Sequence, residues 1–540
     1  MNRFILVLFL LLLAFPVAAQ LQFKERTEIP AESFEPIYEL MRIPSGGLVA
    51  FRTFQQRKLN ADLVFEYFLS SELLQSDTIK EVKVKEGFDM IGYDIDVDQL
   101  YVLFAKGDDA AADKYVLHLD LKTHVGMEYA ADNLLPMDLV EFLVLDKKAI
   151  FMGNADARPV VQIFSLEEKT VQTIQGIYGN ETHVVQILKL PELEALEVVL
   201  RRRGPFKSQE TLVLTFDLEG TLLRELKLDP LGDLDDEPLD GLLLPSSGYG
   251  QTLIGAYGKE VRNLYKGMYL AQINEFGEQN IGLYTLADFP NFYTYLPEKL
   301  RLKQEEIVAE QLEKEKTPSI RNSYAIRDVK EFEDSYLIYF DQFSVSRSRG
   351  VGTVAPSLPS QRYRYDRASR MGYIPFYMDP YNSLGGPVQT YTLVTEYTYR
   401  SAHFIQVAKT GNVLWDNSAR YEDINTTYPE PFAEVSAQGE DVFHLYLVND
   451  QIKLNYFKKG ERLLENQTIP LELDEKLGKI QFTDLGSLRL LHWYGPYYVL
   501  SGLQKIRFTN EQQKEAVREV FFIQKLLLSG DLYVPKEDLD

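Results

Sequence analysis

The chain has 540 residues, 45% of them apolar and 12% aromatic, which is enough to bury a large core. It carries 57 basic and 80 acidic residues, for a formal charge of -23, which argues against general binding to nucleic acid. It has no cysteine, so structural disulfides, thiolate metal sites, a thiol nucleophile and a lipid anchor on cysteine are all excluded.

Residues 1–19 read as a secretory signal. Arg3 supplies the positive start, residues 4–15 are an unbroken apolar run too short to span a bilayer comfortably, and Val17-Ala18-Ala19 offers small residues for cleavage before Gln20. The alternative is an uncleaved anchor. No later run has the apolar length of a membrane helix, so the mature chain is expected to be exported, periplasmic or extracellular in a bacterium, with no membrane span after cleavage. The sequons at Asn180, Asn425 and Asn466 read as chance in such a host. Residues 20–29 alternate apolar and polar and predict one isolated strand.

From residue 37 a unit of short strands recurs. Its clearest copy has strands at 184–188, 196–200, 211–216 and 221–228, the last two joined by the turn Asp217-Leu218-Glu219-Gly220. Units begin near 37, 90, 139, 184, 239, 325, 430 and 479. Where nothing is inserted they lie about 45 to 55 residues apart. Four short strands joined by tight turns make one antiparallel sheet, which cannot bury both faces alone, so the copies must stack.

Two segments break the rhythm. Residues 297–316 predict the one long helix, opened by Pro297 and closed before Pro318, with Leu300, Ile307, Val308 and Leu312 as a thin apolar stripe expected to lie on the body. Residues 344–387 form an insertion rich in Gly, Pro, Arg and Tyr. The last unit closes with strands on either side of a turn at 510–515, although that segment also fits a short helix.

Four-stranded units at this spacing resemble the blades of a β-propeller, an all-β ring that leaves no long edge open. The resemblance covers nearly the whole mature chain and implies about eight blades, or seven if the last unit is misread. It carries no family motif: there is no WD dipeptide pattern, kelch double glycine or S-x-D-x-G-x-T-W box. The implied organisation is a signal peptide at 1–19, one propeller domain at 20–531 with insertions at 290–323 and 344–388, and a tail at 532–540. The strand at 20–29 is expected to join the last blade and tie the ring shut.

In such a ring, loops between second and third strands share a face with the connections between blades. These loops carry Arg52, Arg57 and Lys58; Arg201, Arg202, Arg203 and Lys207; Lys259, Arg262 and Lys266; and the arginines of the insertion. The opposite turns lean acidic, as at Glu167-Glu168, Asp217 with Glu219, and Glu331 with Glu333 and Asp334. The expected partner-binding residues are Arg201, Arg203, Arg347, Arg349, Arg362, Tyr363, Arg364, Tyr365, Arg367, Arg370 and Tyr373. Guanidinium groups grip carboxylate, sulfate or phosphate in a forked geometry, and tyrosine rings stack on sugars, peptides or other guanidiniums. The alternative is a loop that packs on itself and plugs the mouth of the ring.

Catalytic and metal signatures are missing. Asp94, Asp96 and Asp98 alternate like calcium ligands, but the glycine and glutamate an EF-hand loop requires are Gln99 and Ala105. The acids Asp233, Asp235 and Asp236 read as a solvated connection, with calcium as the alternative. The six histidines show no H-x-H or HExxH spacing, and no nucleophile elbow, Walker loop or dinucleotide fingerprint occurs. No cofactor or metal is expected. The reading is a non-catalytic exported propeller that binds an envelope protein or an anionic glycan through a basic, tyrosine-rich face. The alternatives are a secreted hydrolase or lyase acting on an acidic glycan, and a structural sensor domain.

Overall fold

A computed structural model describes residues 21–528, apart from the loop residues 33–34, 56–61, 108, 205–208, 234–235, 240, 247, 260–263, 322, 423, 427–431 and 511 and the longer stretch 350–392. The expected signal segment, Arg57, Lys58, Lys207, Asp235 and Arg262 lie outside the described residues. The described strands form eight separate antiparallel sheets, seven of them meanders in sequence order. Their inner strands begin at residues 39, 89, 138, 182, 237, 323, 433 and 479, close to the unit starts expected from the repeat.

The core is divided among the eight junctions between neighbouring sheets. Val49 and Phe51 of blade 1 pack with Leu100, Val102 and Phe104 of blade 2. Their neighbours Leu48 and Ala50 point the other way, into a cluster with Val499, Phe521 and Ile523 of blade 8. Side chains alternate across a strand, so a strand buried on both faces must be apolar at successive positions, which is why the second strands read as near-continuous apolar runs. Six further clusters fill the remaining junctions around the ring. Sheets stacked in this way form an eight-bladed β-propeller.

Turn chemistry follows the sequence. In blade 4, Asp217 Oδ1 accepts from the backbone N–H groups of Glu219 (3.0 Å) and Thr221 (2.7 Å), and Gly220 takes a φ of +80°, where a Cβ would be strained.

The ring closes through its first strand. Gln22–Pro30 pairs antiparallel with Glu515–Leu527, from Gln22 opposite Leu527 to Pro30 opposite Val520, and so forms the outer strand of blade 8. The segment after residue 510 is therefore a strand in a long hairpin with Tyr497–Thr509, and not a helix. Arg26 stacks on Phe522 at 4.3 Å and donates to Glu28 at 2.8 Å, and Glu28 also takes Arg518 at 2.8 Å, which fixes the register of the closure.

The helix spans Glu298–Glu313 with Pro297 at its N-cap. Its contact with the body corrects the expected stripe: Val308 packs against the core between blades 5 and 6, while Leu300, Ile307 and Leu312 are exposed. The half-buried positions Arg301, Gln304, Glu305, Val308 and Gln311 follow a helical period, so a mostly polar strip faces the body and the leucines flank it.

Deleting residues 21–30 leaves Glu515–Leu527 as an open edge and uncovers Phe522. The truncated chain is expected to melt lower than the full one, by on the order of 10 °C, and to associate. Circular dichroism melting and size-exclusion chromatography check this, and an unchanged melt of a monomeric truncate would refute it.

Candidate functional site

Two features stand apart from the regular ring: an arm on blade 6 and a cluster of charged groups at the axis. The second and third strands of blade 6 run 15 and 16 residues, from Ser335 to Arg349 and from Leu393 to Ala408, and outlast the 13-residue pair of blade 8. After a bulge between Gln342 and Phe343 the hairpin continues from Phe343 opposite Tyr399 to Arg349 opposite Leu393. The short strand Asn425–Thr426 pairs with Tyr397 and Thr398 at its base.

A buried polar network anchors that base. Arg327 donates to Asp341 at 2.8 Å and to the Tyr399 hydroxyl at 3.1 Å. Asp341 also accepts from Tyr339 (2.9 Å) and Tyr421 (2.6 Å), and Tyr421 meets His444 Nε2 at 3.1 Å. Arg327 and Asp341 are both about 1% exposed at the side chain. A buried pair of this kind stands only because its remaining donors and acceptors are satisfied, and here the tyrosines satisfy them. Burial lowers the His444 imidazole to about 3, so it stays neutral. The hairpin thus rises from a rigid seat shared by blades 6 and 7.

The arm leaves the ring at the ends of the second and third strands, the face that also carries the connections between blades. The helix belongs to the same face, because the strand Ile320–Arg321 that follows it pairs with Leu264 and Tyr265 at the start of the third strand of blade 5.

The expected binding residues fall into three groups. Arg347 and Arg349 lie on the arm, opposite Thr395 and Leu393. Arg362, Tyr363, Arg364, Tyr365, Arg367, Arg370 and Tyr373 lie outside the described residues, in the stretch that joins the two strands of the arm. Arg201 and Arg203 belong to blade 4. Arg201 is buried and donates to the Leu239 carbonyl at 3.3 Å, and Arg203 is exposed and pairs with Glu181 at 2.9 Å.

Other cations of that face are held within the body. Arg52 is buried between Glu66 (2.8 Å) and Glu35 (2.9 Å). Lys266 is buried between Asp233 (3.0 Å) and Asp236 (2.8 Å), so those two acids of the connection between blades 4 and 5 have a lysine partner. The alternating acids of blade 2 are occupied as well. Asp94 takes Val144 N–H at 2.7 Å and Lys189 at 2.8 Å, Asp96 takes Asp146 N–H at 3.1 Å, and Asp98 pairs with Ser45 and Lys122. Among the described residues no group of acids and histidines has the arrangement of a metal site.

At the axis, the inner strands of blades 6, 7, 8 and 1 bring together Asp328, Lys330, Glu434, His492 and Arg42. Asp328 and Lys330 pair at 2.7 Å, Arg42 donates to the Trp493 carbonyl at 3.3 Å, and His492 Nε2 lies 3.0 Å from the Gly495 carbonyl. Glu434 keeps some solvent contact, but desolvation by the channel walls dominates and raises its carboxyl to about 7. The His492 N–H, Arg42 and Lys330 oppose that rise, and Asp328 adds to it. Burial lowers His492. A carboxyl raised towards neutrality at the axis is a candidate functional group, because perturbed groups collect at functional sites. Nothing in the strand pattern of residues 433–438 marks Glu434, because its environment comes from three other blades.

One arrangement mimics a catalytic pair without the means to act as one. Ser401 Oγ lies 2.8 Å from His403 Nε2, but both residues are buried, and burial alone lowers the His403 imidazole to about 3. The ring is stacked on Phe340 at 5.0 Å, so neither group meets a substrate.

No family model matches the chain, and no curated protein matches it. Among solved structures, the β-propeller domain of the Trilobed protease from Pyrococcus furiosus is similar over 81% of this chain and 93% of its own, at 7% identity and a TM-score of 0.33. Polysaccharide lyase Uly1 is similar over 81% and 90%, at 9% identity and a TM-score of 0.35. Prolyl oligopeptidase B from Galerina marginata is similar over 90% of this chain but 55% of its own, at 8% identity and a TM-score of 0.36. At these values none of them transfers an activity or a residue role to this chain.

Glu434 makes stability depend on pH. The folded carboxyl keeps its proton to a higher pH than a solvated glutamate, so between about pH 4.5 and 7 the folded state binds more protons than the unfolded chain. Its contribution is present in full below that window and is lost as pH rises through it. Glu434→Gln is therefore expected to melt above the parent at pH 8 by roughly 1–3 °C, with little difference at pH 4.5. Differential scanning fluorimetry at the two pH values checks this, and an equal difference at both would refute it.

Proposed function

We propose that the chain is an exported, non-catalytic β-propeller that holds an envelope protein or an anionic glycan on the face from which the blade 6 arm rises. The observation that carries this reading is the arm itself. A hairpin seated on the Arg327–Asp341 network projects the backbone of Arg347 and Arg349 beyond the ring and joins a stretch whose sequence alternates arginine and tyrosine. Side chains of these types suit anionic, hydroxylated or peptide surfaces. Export rests on the signal-like residues 1–19.

The test compares the mature protein with a variant in which residues 350–392 are replaced by a short Gly-Ser linker. Each is cross-linked to native bacterial envelope and passed over immobilised polygalacturonate at low and high salt. The parent is expected to capture a partner in a salt-sensitive way and the variant to lose it about tenfold or more. Equal capture by both, or none by either, refutes the reading.

A second reading has one observation in its favour. Glu434, held near neutrality beside Arg42 and Lys330, has the ionisation a proton-transferring carboxyl needs in a lyase or hydrolase acting on an acidic glycan. Incubation with uronate-containing polysaccharides is then expected to give product that Glu434→Gln reduces about 100-fold or more. Absence of product, or product unaffected by that substitution, rejects it.

A further inference from the structure

We propose that Glu197 keeps its proton in the folded ring and pairs with Gln251 through two hydrogen bonds, as a staple between blades 4 and 5 that alkaline pH opens. The staple uses no residue of the arm or of the axial cluster.

Strand alternation places the two residues. Val199 lies two positions after Glu197 on the second strand of blade 4, Ala195–Arg203. Leu253 lies two positions after Gln251 on the second strand of blade 5, Gln251–Lys259. Val199 and Leu253 belong to one apolar cluster, which fills the junction between these blades. Residues two apart share a face of a strand, so Glu197 and Gln251 point into the same junction, at its end nearest the short turns. Both are buried, Glu197 at 1% exposure and Gln251 at 3%. Gln251 Nε2 donates to Glu197 Oε1. The other oxygens of the two groups, Glu197 Oε2 and Gln251 Oε1, are buried without a partner.

An ionised carboxylate only accepts, so it would leave both of those oxygens without a donor. A single proton removes both defects. Glu197 Oε2–H then donates to Gln251 Oε1 while Gln251 Nε2–H donates to Glu197 Oε1, which closes the planar ring that a carboxylic acid and a primary amide form with each other. Buried polar groups left unpaired are costly, and this arrangement pairs all of them at once.

The surroundings favour the neutral acid. Burial raises the Glu197 carboxyl and outweighs the opposing Gln251 amide, Arg224 charge and Thr215 hydroxyl. Thr215 stands opposite Glu197 on the third strand of blade 4, and Arg224 stands opposite Thr215 on the fourth. Among the described residues Arg224 is the charge that acts on Glu197, and its guanidinium donates to the backbone carbonyls of Tyr249 and Asn274 instead. A carboxyl raised by folding binds its proton more tightly in the ring than in the unfolded chain. The staple therefore stabilises the fold in full below about pH 4.5, the ordinary value of the group, and loses that contribution as pH rises through the folded value. Loss of the proton leaves a buried negative oxygen facing the Gln251 carbonyl, and the junction loosens.

Infrared spectroscopy of the mature protein in heavy water at about pH 8 tests this, because a protonated carboxyl has a C=O band apart from those of carboxylates and amides. Glu434, raised to about 7, is mostly ionised under that condition. The carboxylic band is expected in the parent and in Glu434→Gln, and is expected to vanish in Glu197→Gln. Gln251→Leu removes the partner and is expected to move the band to higher frequency. The amide of Glu197→Gln can close the same ring without a proton. That variant is therefore expected to melt within about 2 °C of the parent at about pH 5 and above it by a margin that grows with pH. A parent without the band, a band that survives Glu197→Gln or stays in place in Gln251→Leu, or a Glu197→Gln variant destabilised equally at every pH overturns the proposal.

Discussion

Closure of the ring is the constraint on which the rest depends. Each four-stranded sheet is too small to bury its own faces, so every blade relies on both neighbours, and the last junction must join the two ends of the chain. Here the joining is done by backbone pairing between Gln22–Pro30 and Glu515–Leu527, almost five hundred residues apart in sequence, and by the cluster of Leu48, Ala50, Val499, Phe521 and Ile523. Pairing over such a separation carries a large loop-closure entropy. It is stabilised only because it also completes the core between blades 8 and 1.

Once the ring is closed, it divides the irregular parts between two faces and an axis. Short turns occupy one face, while the blade 6 arm and the helix share the other. The base of the arm is fixed by what lies beneath it. Arg327 and Asp341 lose all their water, and a lone charge left there would cost about 3–5 kcal/mol. Tyr339, Tyr399 and Tyr421 complete their hydrogen bonding and at the same time tie three strands and two blades to one geometry. The same device recurs in blade 1, where Arg52 sits between Glu35 and Glu66.

The net charge of the chain concealed how its charges are used. Of the cations counted along one rim, Arg52, Arg201 and Lys266 are buried among partners. The acids of the 229–240 connection read as a solvated loop, with calcium as the alternative, and the structure shows Asp233 and Asp236 holding Lys266 instead. Loop class follows from strand order, whereas burial and pairing depend on which neighbouring loop comes within about 3 Å, and adjacent blades decide that.

The sequence by itself determined the all-β class, the repeat and its phase, and the helix. All of these follow from local periodicity and turn chemistry such as that at Asp217 and Gly220. It also supplied the unpaired first strand that closure requires. Tertiary structure decided the count of eight, the polar strip of the helix turned to the body, and the gathering of Glu434 with Arg42, Lys330 and His492 at the axis. Each of these depends on residues from different blades meeting in space, and the spacing of residues along one strand contains no record of such a meeting.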